Sequence, residues 1–250
     1  MLNIILVLKI IKLHAIDSTN TYLKQLAKNS QLEEETVVVA AHQFSGRGQM
    51  GNGWISKEGE SLTFSIFKRF GALSVERQFM VSMGVSMAVY EALSTLNVPR
   101  ISIKWPNDIM SANKKIGGIL IENVLEGSNL KYSVIGIGLN VNEASFQNLP
   151  QASSLKLETG ITFILEEVLA LLLKSISKHL EMLNVATPSS LKQRYESVLF
   201  RKGMISVFEV AEGTRFNGII IGVTDLGELL VETQSNGLQK FQLKEVKLIY

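Results

Sequence analysis

The sequence contains no cysteine and only three histidines, which rules out a disulfide framework and the usual thiolate-based zinc sites. Its chemistry must therefore run on amides, carboxylates, lysine and arginine. An excess of one charge is also missing: 25 Lys and Arg stand against 23 Asp and Glu. A net charge of +2 gives no surface field from which to argue for nucleic-acid binding. The apolar run Ile4 to Leu8, followed by Lys9, Ile10, Ile11 and Lys12, falls far short of the ~20 residues that span a bilayer. It has neither a basic region before it nor a small-residue cleavage site after it. It reads as a buried strand of a cytoplasmic protein. There is no low-complexity segment and no repeat period.

What is present suits one large domain followed by a small one. β-rich apolar runs recur at Val37–Ala41, Leu62–Phe67, Ile101–Lys104, Ile116–Glu122 and Tyr132–Leu139, with helical patterns between some of them, so the class is α/β with a mixed sheet. A first helix is expected from Ser18 or Thr19 to Asn29, and a second from Val75 to Leu96 with Ser74 as its cap. A third amphipathic pattern covers Phe163–Leu183. Thr187 followed by Pro188 marks the start of another helix, reaching about Val198. After Phe200 the composition shifts to short alternating strands punctuated at Gly213, Gly218, Asp225-Leu226-Gly227 and Ser235-Asn236-Gly237. That pattern predicts a small antiparallel barrel over 201–250 beside a larger domain over 1–200.

Three segments carry chemical information. In Gln43-Phe44-Ser45-Gly46-Arg47-Gly48-Gln49-Met50-Gly51-Asn52-Gly53-Trp54, closely spaced glycines expose backbone N–H groups around an arginine fork, the composition of an anion-binding loop. It matches neither the dinucleotide fingerprint nor the P-loop, and a flexible surface connection is the competing reading. Lys104-Trp105-Pro106-Asn107-Asp108 follows a strand, and open α/β sheets place ligands at strand ends; by itself an Asn-Asp pair in a turn also reads as local capping. Lys114-Lys115-Ile116-Gly117-Gly118 sets a lysine pair against glycines that allow close approach to backbone, though adjacent lysines on a hairpin also suit plain solvent exposure. Gly136-Ile137-Gly138-Leu139-Asn140-Val141-Asn142 again joins backbone access to side-chain amides, or else is a strand with a bulge.

With Ser18-Thr19-Asn20, these segments occur in the order and at roughly the spacing of the biotin protein ligase catalytic domain, which the chain resembles over about 13–160 and more loosely beyond. The resemblance implies a mixed-sheet catalytic domain with an SH3-like C-terminal barrel. It implies an enzyme that activates biotin with ATP as an acyl adenylate and transfers it to a lysine of a biotin carboxyl carrier protein. By position, Ser18, Thr19, Asn20, Gln43, Arg47, Gly48, Gln49, Lys115 and Gly118 would hold biotin. Arg47, Trp54, Lys104, Asn107, Asp108 and Asn140 would hold the nucleotide, with a packing role equally open for Trp54. Lys115, Arg47 and Asp108 are the expected catalytic residues. Mg²⁺ is expected on the phosphates, with Asp108 as a candidate ligand.

DNA binding and membrane association are not expected, and the assembly is expected to be a monomer or weak dimer. The same fold also serves lipoate ligases and octanoyl transferases; a non-catalytic RNA- or peptide-binding module is the alternative of another class. The family often carries a second arginine where this chain has Gln49. Glutamine keeps hydrogen bonding and loses a charge, so this loop should retain the adenylate less well. The idea fails if direct measurement finds adenylate dissociation no faster than in a Gln49→Arg variant.

Overall fold

The computed structural model describes residues 8–29, 32, 35–71, 73–183 and 187–250. Strand β1 (Ile10–Ile16) leads through helix α1 (Thr19–Asn29) to β2 (Val37–Gln43), and β1 and β2 are parallel, as a helical crossover requires. There follow β3 (Ser61–Arg69), α2 (Gln78–Thr95), β4 (Ile101–Lys104), β5 (Asp108–Ser111), β6 (Lys114–Glu126) and β7 (Asn129–Asn140). These seven strands form one mixed sheet in the order β1-β2-β3-β7-β6-β5-β4. Helices α3 (Leu155–Thr159), α4 (Leu165–Met182) and α5 (Pro188–Ser197) precede a five-stranded antiparallel sheet, β8 (Ile205–Val210), β9 (Arg215–Val223), β10 (Leu229–Thr233), β11 (Gly237–Phe241) and β12 (Val246–Ile249). The class is α/β with a mixed sheet and an SH3-like C-terminal unit. No helix among the described residues is long and apolar enough to cross a membrane.

Helices cover both faces of the mixed sheet, and the interior strand β3, between β2 and β7, is buried along nearly its whole length. Leu62, Phe64 and Ile66 join the large core with α2 and α4, while Phe67 packs with Leu23 of α1 and with Val38, Tyr132 and Val134. Alternation along a strand puts Thr63 and Ser65 on the α1 side with Phe67. Both are buried. Buried hydroxyls need partners, and the start of α1 supplies those of Ser65.

Several expected elements are displaced, each for a local reason. The expected strand at Ile4–Leu8 falls outside the described residues except for Leu8; the strand here begins at Ile10 and lies half-exposed at the sheet edge. Ser74 does not cap α2: its backbone bridges Asn129 and a 3-10 turn, Val75–Arg77, intervenes. Phe163 stays outside α4 because Asn142 binds both its N–H (2.9 Å) and its carbonyl (2.8 Å). Asp108, read as part of a turn, opens strand β5 instead. Gly218 is not a turn but lies within β9, where a Cβ would press on Val231. By contrast Thr187 does cap α5, its hydroxyl accepting the Ser190 N–H, with Pro188 in the first turn.

The C-terminal sheet is joined to the edge of the large one. Ile103 of β4 exchanges backbone hydrogen bonds with Val198 and Phe200, both 2.9 Å, and the Trp105 indole N–H donates to the Gly227 carbonyl at 2.9 Å. Gly227 sits at φ +91 with the Phe79 ring where a Cβ would be. Gly227→Ala should therefore lower stability by about 2–4 kcal/mol, from left-handed strain and overpacking together. A urea unfolding curve with an unshifted midpoint would show that the seam tolerates the side chain.

Candidate active site

The parallel strands β1 and β2 end beside the start of α1, the place where open α/β sheets collect ligands. Ser18, Thr19 and Asn20 form that helix start and are buried. The Thr19 N–H and hydroxyl both meet Oε1 of Gln43, at 2.8 and 3.1 Å. With its oxygen so engaged, Gln43 has its NH₂ end left for the cavity it lines. Ser65, at the centre of β3, links Thr19 Oγ1 (2.7 Å) to Asn20 Oδ1 (2.6 Å). Asn20 Nδ2 donates to the Leu120 carbonyl at 3.3 Å and to Glu122 Oε2 at 2.9 Å. Glycine is required at Gly136, where a Cβ would collide with the Asn20 amide.

The glycine-arginine loop closes on itself as a short hairpin. Arg47 bridges Gly53, Gly48 N–H meets the Asn52 carbonyl at 2.7 Å, and Trp54 N–H meets Gly46 at 2.8 Å. Trp54 lies on the glycines of β6 and β7, since a Cβ at Gly138 would overlap its indole and one at Gly118 would touch it. The ring N–H has no partner among the described residues, and the Lys115 ammonium sits 5.8 Å over the ring. The loop's only cation, Arg47, reaches Glu122 Oε2 at 2.8 Å, while Lys24 takes Glu122 Oε1 at 2.9 Å. Burial by itself raises the Glu122 pKa, but hydrogen bonds from Lys24 and Asn20 and the charges of Arg47 and Lys24 outweigh it, and the carboxyl is held below its ordinary 4.5.

Opposite the loop, Asp108 Oδ1 binds Lys115 at 2.6 Å and Oδ2 binds Lys104 at 3.3 Å. A bulge between β5 and β6 aligns Met110 with Lys115 but Ile109 with Gly117. Neighbouring residues on a strand point to opposite faces, which separates the two lysines: Lys114 Nζ meets the Pro150 carbonyl away from the cavity. The Lys115 backbone is clamped by the Gln151 carbonyl (2.7 Å) and the Ser153 N–H (2.9 Å). Asn107 uses its Nδ2 on the Ile119 carbonyl at 2.7 Å, leaving its oxygen for other partners.

These segments surround one cavity of about 480 Å³. Ser18, Thr19, Asn20, Gln43, Arg47, Gly48, Gln49, Trp54, Lys104, Asn107, Asp108, Lys115 and Gly118 all line it. Asn140, expected at the nucleotide, does not. It shares the strand face of Gly136 and Gly138 but lies past the cavity's edge, buried, with Nδ2 on the Ser153 carbonyl at 2.9 Å. It thereby supports the segment that clamps Lys115, and its own oxygen has no partner among the described residues.

The sequence reading missed Lys244, in the turn between β11 and β12, and Lys247 and Leu248 of β12, which also line the cavity, because no local motif marks them. It also missed Lys24 and Glu122, whose pairing across 98 residues has no local signal. Tyr250 packs under Lys104, whose ammonium is 5.5 Å from its ring; burial, with Asp108 nearby, raises its phenol pKa. Arg47, Lys104, Lys115, Lys244 and Lys247 face a single lining carboxylate, Asp108. Such a cavity suits a polyanion. Among the described residues no three His, Asp or Glu converge as a metal site.

Residues 13–140 match the biotin/lipoate A/B protein ligase family, and the chain belongs to that family. It is 31% identical, over 93% of its own length and 72% of the relative's, to the bifunctional ligase/repressor BirA of Bacillus spizizenii. It is 30% identical, over 86% and 90%, to the biotin–acetyl-CoA-carboxylase ligase of Paracoccus denitrificans. Its fold is similar to that of the biotin protein ligase from Aquifex aeolicus in complex with biotin and ATP, with a TM-score of 0.78 at 29% identity over 96% of this chain and 98% of that one.

The Lys24–Glu122–Arg47 cluster has a pH signature. A carboxylate whose folded pKa is lowered contributes stability above its unfolded pKa and loses it as pH falls through the folded value. Stability should therefore drop on acidification below about 4.5, and part of that drop should be absent in Glu122→Gln. Identical acid limbs for the two proteins in chemical unfolding would contradict it.

Proposed function

We propose that this chain is an ATP-dependent biotin protein ligase. A carboxylate oxygen of biotin attacks the α-phosphorus of ATP, and the bond to pyrophosphate breaks. The neutral ε-amine of an acceptor lysine then attacks the biotinyl carbonyl, AMP leaves, and the amine gives up a proton. The observation that carries this reading is the convergence of the family's separated motifs on one cationic cavity. The lipoate, octanoyl and RNA- or peptide-binding readings have no comparable support, since the relatives above are named for biotin ligation.

The roles follow from the chemistry of each wall. Ser18, Thr19, Asn20 and Gln43 supply hydroxyls and amides for the neutral ureido head group. Arg47, Gly48 and Gln49 close over the carboxylate and phosphate, excluding water from an acyl phosphate that water would hydrolyse. Lys115, with Gly118 leaving space beside its ammonium, brings the two anions together and offsets charge on the reacting oxygens. Trp54, Lys104 and Asn107 face the nucleotide. Lys244 and Lys247, which line the same cavity, add charge for its outer phosphates. Asn140 acts through the 150–153 segment.

Magnesium is a reasonable companion of the triphosphate: with Asp108 as the one carboxylate on the cavity wall, the ion would be held mainly by phosphate oxygens, as such sites usually are. When bound it would neutralise phosphate charge. Asp108 also keeps Lys104 and Lys115 in place.

Residues 1–200 serve as the catalytic domain and 201–250 as the C-terminal domain. The acceptor is a biotin carboxyl carrier protein or domain, in keeping with the relative named for acetyl-CoA carboxylase. The protein works in the cytoplasm as a monomer or weak dimer, without DNA or membrane; the low net charge supports only the absence of nucleic-acid binding.

The test is incubation with biotin, labelled ATP and Mg²⁺, with and without a carrier domain, following pyrophosphate release and labelled lysine. Lys115→Ala should lower adenylate formation by about 10²–10³-fold, as loss of one preorganised donor does, while Lys114→Ala stays near wild type. Equal losses in both variants would refute the assignment, and activity only with lipoate or octanoate would refute the substrate.

A further inference from the structure

Glu122 does not line the cavity, yet it joins two residues that do. Its Oε2 accepts from Asn20 Nδ2 at 2.9 Å and from Arg47 Nη2 at 2.8 Å. Its side chain is 20% exposed and that of Arg47 44%. This bridge ties the rigid strand β6 to a loop otherwise closed only by its own hairpin hydrogen bonds.

A carboxylate alone on Arg47 would cancel the charge the loop offers to an anion. Lys24, on α1, prevents that: at 2.9 Å from Oε1 it leaves the group of two cations and one carboxylate with a net positive charge. Among the described residues only one guanidinium nitrogen of Arg47 is engaged, and the other donors of its fork stay open to a ligand.

We infer that Glu122 is the positioning residue for Arg47, anchoring the glycine-arginine loop over the cavity, and that Lys24 keeps this carboxylate from neutralising the arginine. The inference rests on the ligase reading for the identity of the ligand but not for the anchoring. Glu122→Gln preserves shape and removes the charge. Asn20 keeps the Leu120 carbonyl as an acceptor; Lys24 and Arg47 both lose the ion pair, and the Arg47→Ala background separates the share that acts through the loop.

Two measurements on the full chain test it. In the free protein, hydrogen exchange at the Gly48 and Trp54 amides should speed up about tenfold in Glu122→Gln, the factor that loss of one charge-assisted hydrogen bond implies. In the assay with biotin, ATP and Mg²⁺, KM for biotin and the rate of adenylate loss should each rise about tenfold, with kcat for adenylation changed less than about twofold. Neither should rise further when Glu122→Gln is added to Arg47→Ala.

Unchanged exchange and unchanged KM would overturn the inference, as would a full additional effect in the Arg47→Ala background. Glu122→Ala carries the same expectation. If neither variant folds in thermal melts, Glu122 belongs to the fold and the inference is wrong. A wild type that makes no biotinyl adenylate while Glu122→Gln still speeds exchange would refute the ligase reading and leave the anchor standing.

Discussion

The contact between Asp108 and Lys115 is the constraint around which the cavity is built. At 2.6 Å it joins the start of β5 to Lys115 of β6, next to the bulge, and the second oxygen of the same carboxylate holds Lys104 on β4. Without it, two ammonium groups would share a poorly solvated wall with three further cations and no lining carboxylate. Strand alternation decides which of two adjacent lysines faces the cavity. The 150–153 segment, itself held by Asn140, makes that choice rigid.

The opposite wall follows from the placement of β3. A strand covered by helices on both faces has to be apolar on each, except where buried hydroxyls find partners. Ser65 finds them in Thr19 and Asn20. The need to satisfy a buried hydroxyl and the arrangement of a polar recognition surface are thus met by the same hydrogen bonds. Gln43 and Glu122 extend that network outward, one toward the cavity and the other toward the loop that covers it.

The C-terminal sheet completes the cavity from outside the large sheet. Trp105, inside the motif that also carries Asn107 and Asp108, donates to the Gly227 carbonyl, so a site residue's neighbour is also the seam between the two sheets. That position brings Lys244 and Lys247 to the cavity wall and gives the cavity more positive charge than the whole chain's +2 suggests.

Most elements were legible in the sequence because strand alternation, capping residues and Pro at the first helical turn are local signals. Thr187-Pro188 and Ser18-Thr19-Asn20 were read within a residue or two. Where reading failed, a distant partner had intervened: Asn142 held Phe163 out of α4, and the β6–β7 turn drew Ser74 into a bridge. Most of the site was legible for a similar reason, since glycines that admit a ligand and cations that attract one cluster in short motifs. Asn140 was misplaced because face parity does not say where along a strand a cavity ends. Lys24, Glu122, Lys244 and Lys247 were invisible because a lone charged residue carries no local signal of its partner. The sequence by itself determined the fold class and the family's motif order; only tertiary structure decided which lysine faces Asp108, which carboxylate holds Arg47, and which cations the C-terminal sheet adds, because those depend on side chains brought together from distant parts of the chain.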